Sequence, residues 1–103
     1  MAARTNRSFA DEVNRLLEDR GLSASALARQ VGVSQGHLSR LLRQADYRRS
    51  PSLRLARSVA RALDLPDDYF SEYREAYVVE RIQKSSRLRD ELYDMLRERR
   101  TSR

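Results

Sequence analysis

Apolar residues recur along the chain at helical spacing, and no stretch alternates in the manner of a strand. Phe9, Val13, Leu16 and Leu17 fall at i, i+4, i+7 and i+8, with Ser8 three residues before Asp11 as a capping start and Gly21 as a stop. This pattern predicts a first helix over about 9–20. Ser23 then opens a short helix over about 24–31. Leu22 and Leu27 are spaced as a hydrophobic staple, Leu27, Ala28 and Val31 form the apolar face, and Gly32 ends the helix. Ser34 opens a third helix at once, over about 35–43, with Val33 stapling to Leu38 and a stripe of Leu38, Leu41 and Leu42. Neither short helix is stable alone, so each needs the other's packing.

After a polar loop over 45–50, Ser50-Pro51 is expected to open a fourth helix, with proline at its first position and Leu53, Ala56, Val59, Ala60 and Leu63 facing the core. Leu65-Pro66 interrupts the pattern. Asp67-Asp68 supply the negative charge that a fifth helix favours at its start, and Phe70, Tyr73, Tyr77 and Val78 follow at helical spacing to about residue 83 or 84. Ser85-Ser86 is either a break with a new cap or an interior point of one long helix. The last segment, about 87–100, sets Leu88, Leu92, Met95 and Leu96 on one face. The fold class is therefore all-α. Residues 1–8 are expected as a flexible arm, 9–80 as the domain and 81–103 as a helical extension.

Charge sharpens this outline. The 103-residue chain carries +6, and 20 of its 21 cations are arginine. Residues 1–28 are neutral, 29–63 carry +7, 64–80 carry −5 and 81–103 carry +4. A basic middle beside an acidic segment suggests one face that meets a polyanion and another that turns away from it. There is no cysteine, one histidine (His37), no glycine-rich phosphate loop and no apolar run of the ~20 residues that a membrane span needs. The acid pairs Asp11-Glu12, Asp67-Asp68 and Asp90-Glu91 stand near helix starts, where the dipole accounts for them. These features argue against an enzyme, imply no metal or cofactor, suggest no small-molecule pocket, and favour a cytoplasmic binder of nucleic acid.

Residues 24–43 read ASALARQVGVSQGHLSRLLR. Ala28 is small where two helices must lie close, Gly32 supplies a positive φ for a sharp turn, and Val33 and Leu38 plug the junction. The stretch resembles the helix-turn-helix of the Cro/C1 (Xre) family of bacterial and phage regulators. The five-helix order and the arginine-bearing loop extend the similarity over about residues 9–70, which implies a five-helix lambda-repressor-like domain with an additional C-terminal helix.

The resemblance places base reading on Ser34, Gln35, Gly36, His37, Ser39 and Arg40. A Gln35 amide can bond adenine N6 and N7, and an Arg40 fork can meet guanine O6 and N7. Phosphate contacts fall to Ser23, Ser25, Arg43, Arg48 and Arg49. Ala24 stands where the family usually has a phosphate-anchoring glutamine. Glycine at Gly36 costs a short helix ~1 kcal/mol relative to alanine. His37 is exposed by periodicity and suits a phosphate contact as well as base reading. Arg40 has Asp46 as an alternative partner, and Arg54, Arg57 and Arg61 read as a solvated face of helix 4 in preference to a DNA contact. The Tyr69, Tyr73, Tyr77 stripe suits core packing or a dimer seam better than base stacking. Arg4 and Arg7 fit a mobile tail better than a minor-groove arm.

The family's regulators imply double-stranded DNA as partner and a homodimer on a palindromic operator, a repressor before an activator. Pairing is expected through Tyr73, Tyr77, Val78, Ile82, Leu88, Leu92, Met95 and Leu96, with fold-back of the tail as the alternative. Two other readings stay open: an antitoxin whose tail neutralises a toxin partner, and a nucleoid-associated architectural protein.

Overall fold

A computed structural model describes residues 4–43 and 50–101. Among them are six helices and no strand: α1 (Phe9–Arg20), α2 (Ala24–Val31), α3 (Gln35–Leu42), α4 (Leu53–Ala62), α5 (Ser71–Lys84) and α6 (Ser86–Thr101). None is long and apolar enough to cross a membrane.

Serine punctuation sets most of the helix starts. The hydroxyl oxygens of Ser8, Ser23, Ser34 and Ser52 each accept the backbone N–H three residues on, all at 3.1 Å. Ser85 does the same for α6, accepting from Leu88 at 3.2 Å. Each such bond satisfies one of the orphan amides that open a helix and is worth about 1 kcal/mol. α5 is the exception: Phe70 occupies its cap position without a side-chain bond.

The core joins Phe9, Val13, Leu16 and Leu17 of α1 to Leu27 and Ala28, to Leu38, Leu41 and Leu42, and to Leu55, Ala56, Val59, Ala60 and Leu63. Tyr69 and Phe70 close it from the far end. The Phe9 and Phe70 rings meet edge-on at 4.9 Å. Two polar tethers fasten helix ends to this core. The Asn14 amide donates to the Leu42 carbonyl (3.0 Å) at the end of α3, and the Arg20 guanidinium donates to the Leu63 carbonyl (2.6 Å) at the end of α4.

The structure corrects several expectations. α4 starts at Leu53 and not at Pro51: the Ser52 cap sets the boundary, and the Pro51 ring is buried ahead of it. α5 starts at Ser71, so Asp67 and Asp68 do not open it. Asp67 instead accepts a fork from Arg61 at 2.8 Å, and Asp68 pairs with Arg4 at 3.0 Å. Leu22 is 44% exposed and staples nothing; only Leu27 turns inward. Residues 4–8, expected as part of a flexible arm, lie against the start of α5. The Thr5 N–H donates to the Tyr69 carbonyl (2.9 Å), and the Arg74 guanidinium donates to the carbonyls of Thr5, Asp68 and Tyr69. Ser85 has φ −136° and ψ 102°, so α5 and α6 are two helices with a break between them. α6 packs mainly on α5, and the molecule reaches 49 Å along its long axis.

Candidate nucleic-acid interface

α3 is placed by the turn before it. Gly32 sits at φ 78°, a left-handed conformation, and a Cβ there would meet nothing within 4 Å. The glycine is needed for its dihedral and not for space. The N–H groups of Gly32 and Val33 both donate to the Ala28 carbonyl, at 2.9 and 3.0 Å, which locks α3 at a fixed angle to α2. Leu38, Leu41 and Leu42 then bury one face of α3, and Asn14 holds its C-terminal end.

The opposite face is open. Ser34, Gln35, Gly36, His37 and Arg40 are exposed, and so is Arg43 just beyond the helix. Ser39 is half-buried, so it is the least accessible of the expected base readers. Gly36 and Arg40 are adjacent on one stripe: a Cβ on Gly36 would sit 3.7 Å from Arg40 Nη1. The guanidinium thus lies back over the first turn of α3, beside the other polar residues of that turn. Ser34 and Ser23 use their oxygen lone pairs on caps, which leaves each hydroxyl proton to donate outward. Ser25 is half-buried. Arg48, Arg49 and Asp46 lie outside the described residues.

Charge pairing reinforces the division of faces. Among the described residues, the ion pairs involve Arg4, Arg15, Arg61, Lys84, Arg87 and Arg89. None of them touches Arg29, Arg40 or Arg43. Among the described residues, these three arginines therefore have no carboxylate partner.

A network that the sequence did not signal ties α1 to the segment before α5. Glu12, 2% exposed, accepts hydrogen bonds from Arg15 Nε (2.9 Å) and Nη2 (2.7 Å) and from the Tyr69 hydroxyl. The Arg15 bonds hold its carboxyl below the usual carboxylate range, against the opposing effect of burial. The same contact raises the Tyr69 hydroxyl above the usual phenol value. Glu12 was legible only as a dipole acid of α1; a partner 57 residues away leaves no local pattern.

Residues 13–70 match the family model of a helix-turn-helix domain, from the second turn of α1 to the threshold of α5. The chain belongs to the Cro/C1-type helix-turn-helix family. No curated protein and no solved structure matched it. The Cro/C1-type domain is a DNA-binding, transcription-regulating module and not an enzyme. All of α5 and α6 lie beyond the matched span.

Proposed function

We propose that this protein is a sequence-specific transcriptional repressor that binds a palindromic operator as a homodimer. The observation that carries the reading is the exposed polar face of α3, fixed by Gly32 and Asn14 and flanked by arginines without ion-pair partners among the described residues. Gln35 and Arg40 read base edges, with Ser34, His37 and Ser39 beside them and Gly36 leaving room for close approach. Arg43 and the hydroxyls of Ser23 and Ser25 grip phosphate, as do Arg48 and Arg49.

Pairing is supported by the apolar surface of α5 and α6. Apart from Leu22, the large exposed hydrophobics are Tyr77, Val78, Val79, Leu88, Tyr93, Met95 and Leu96. Between the two helices lies a crevice of about 300 Å³ lined by Tyr77, Val78, Arg81, Ile82, Leu88 and Leu92. A surface this apolar on a charged chain is one that a partner covers. A second copy fits because one recognition helix reads only a few base pairs, and two half-sites lie about 34 Å apart. Tyr73, half-buried and tilted toward Tyr77 at 6.1 Å, belongs to the edge of this seam. The same face would also suit a toxin, which makes the antitoxin reading the competitor. Bound to its operator, the dimer blocks access of the polymerase.

Selection of bound sequences from random duplex DNA tests the proposal. A palindrome with fixed spacing is expected. Gln35→Ala and Arg40→Ala should each cost about 1–3 kcal/mol and relax one operator position, whereas Arg43→Ala should weaken all sequences alike. Equal losses on selected and random DNA for all three variants would overturn the assignment of roles.

A further inference from the structure

The one face of α4 that sequence periodicity assigned to solvent borders a groove. Arg54, Arg57 and Arg61 recur at i, i+3 and i+7, which places them along one side of the helix. Opposite them stands the α2–α3 turn, and the space between measures about 450 Å³. Its polar lining is His37, Ser52, Arg54, Arg57, Ser58 and Arg61, and no carboxylate lines it. Asp67, which Arg61 holds at the edge of the groove, is occupied: Arg61 Nε and Nη2 each donate to it at 2.8 Å. Arg61 is thereby neutralised at one end of the groove. Asp67 also feels the charge of Arg57, but no hydrogen bond joins them. Among the described residues neither Arg54 nor Arg57 has an acceptor. Arg57 is half-buried, so its stem is held against the protein while its guanidinium has no hydrogen-bond acceptor among the described residues. The Ser52 oxygen accepts from Leu55, which turns its proton outward.

A concavity lined by two unmatched guanidinium forks and two hydroxyls offers donors and asks for acceptors. Phosphate answers that demand with several acceptor oxygens and geometry suited to the arginine fork. We propose that the groove between the α2–α3 turn and α4 is a phosphate-binding site centred on Arg54 and Arg57. The phosphate has two sources, the backbone of DNA flanking the half-site or a free polyphosphate group. His37 joins the groove to the recognition helix, so the DNA backbone reaches it without leaving the interface. Only this choice of occupant rests on the operator reading; the donor-lined groove does not.

The test uses the full chain with inorganic tripolyphosphate as probe, titrated by calorimetry at low salt. The Arg54→Ala/Arg57→Ala variant is expected to bind the probe at least tenfold more weakly. An Arg87→Ala/Arg89→Ala control, which removes the same charge from α6, should bind as the parent does. Equal affinity in parent and groove variant, or an equal loss in the control, overturns the proposal; circular dichroism melting confirms that each variant is folded. In a second arm, the slope of log K against log salt on duplex DNA should flatten by about 2 in the groove variant if DNA backbone fills the site. An unchanged slope with lost probe binding assigns the groove to a free polyphosphate. A parent chain that binds the probe but not duplex sinks the operator reading alone.

Discussion

At the scale of single residues, Gly36 and Gly32 show how the same amino acid serves two purposes. Gly32 needs its positive φ, whereas Gly36 lies in ordinary helix with an Arg40 side-chain nitrogen as the nearest neighbour of a would-be Cβ. Gly36→Ala should therefore stabilise the fold by about 1 kcal/mol, measured by thermal unfolding. A concurrent fall in operator affinity would mark Gly36 as a point of close DNA approach. Glu12 makes the opposite case, a charge whose worth depends on burial. Its pKa is depressed in the folded state, so its stabilisation is present above the unfolded value of ~4.3 and is lost as pH falls through the folded one. Glu12→Gln should lower stability near neutral pH by about 2 kcal/mol, the scale of hydrogen bonds to a charged group, and flatten acid unfolding below about pH 4.5. Denaturant melts across pH 2–7 check both.

At the scale of elements, α1, α2 and α3 were legible because their boundaries are local chemistry. A serine three residues before the amide that donates to it and a glycine at left-handed φ both operate within one turn. The misreadings arose where distant partners decide. Asp67 and Asp68 have the look of a helix start, yet Arg61 and Arg4 draw them into ion pairs, and the rings of Tyr69 and Phe70 turn inward before α5 begins. At α4 two serines competed, Ser50 and Ser52, with a proline between them that favoured the wrong one. The cap geometry predicts a clean contrast. Ser52→Ala should cost about 1 kcal/mol in urea unfolding, and Ser50→Ala should change nothing measurable. The exposed polar face of α3 was legible for the same reason as its helix, since a buried leucine stripe dictates which residues point away. The phosphate groove was not, because its far wall comes from a turn some 20 residues earlier in the chain.

At the scale of the whole molecule, the acidic and basic blocks sort onto different parts of the structure. Three of the six acids of 64–80 tie the N-terminal residues and α4 to the start of α5. Asp67, Asp68 and Glu72 accept from Arg61, Arg4 and the Phe9 N–H respectively. Among the described residues, Arg40 and Arg43, on and just beyond α3, have no carboxylate partner. The proposed dimer is tested on this scale. Val78 and Leu96, 50% and 55% exposed, contribute nothing to the core. Val78→Glu/Leu96→Glu should give a species of the 12.0 kDa chain mass by light scattering, where the parent gives twice that, with its unfolding midpoint nearly unchanged. Operator affinity should fall with it, since two linked half-sites bind far more tightly than one.

One residue of extended backbone at Ser85 separates α5 from α6, and its dihedrals set the direction in which α6 leaves the domain. If two copies join through that outgoing rod, the bend acts as a ruler for the distance between their reading heads. A residue at 85 that preferred helix would straighten the rod and recalibrate the ruler. The preferred gap in the target DNA would then change while every base-contacting side chain stayed the same.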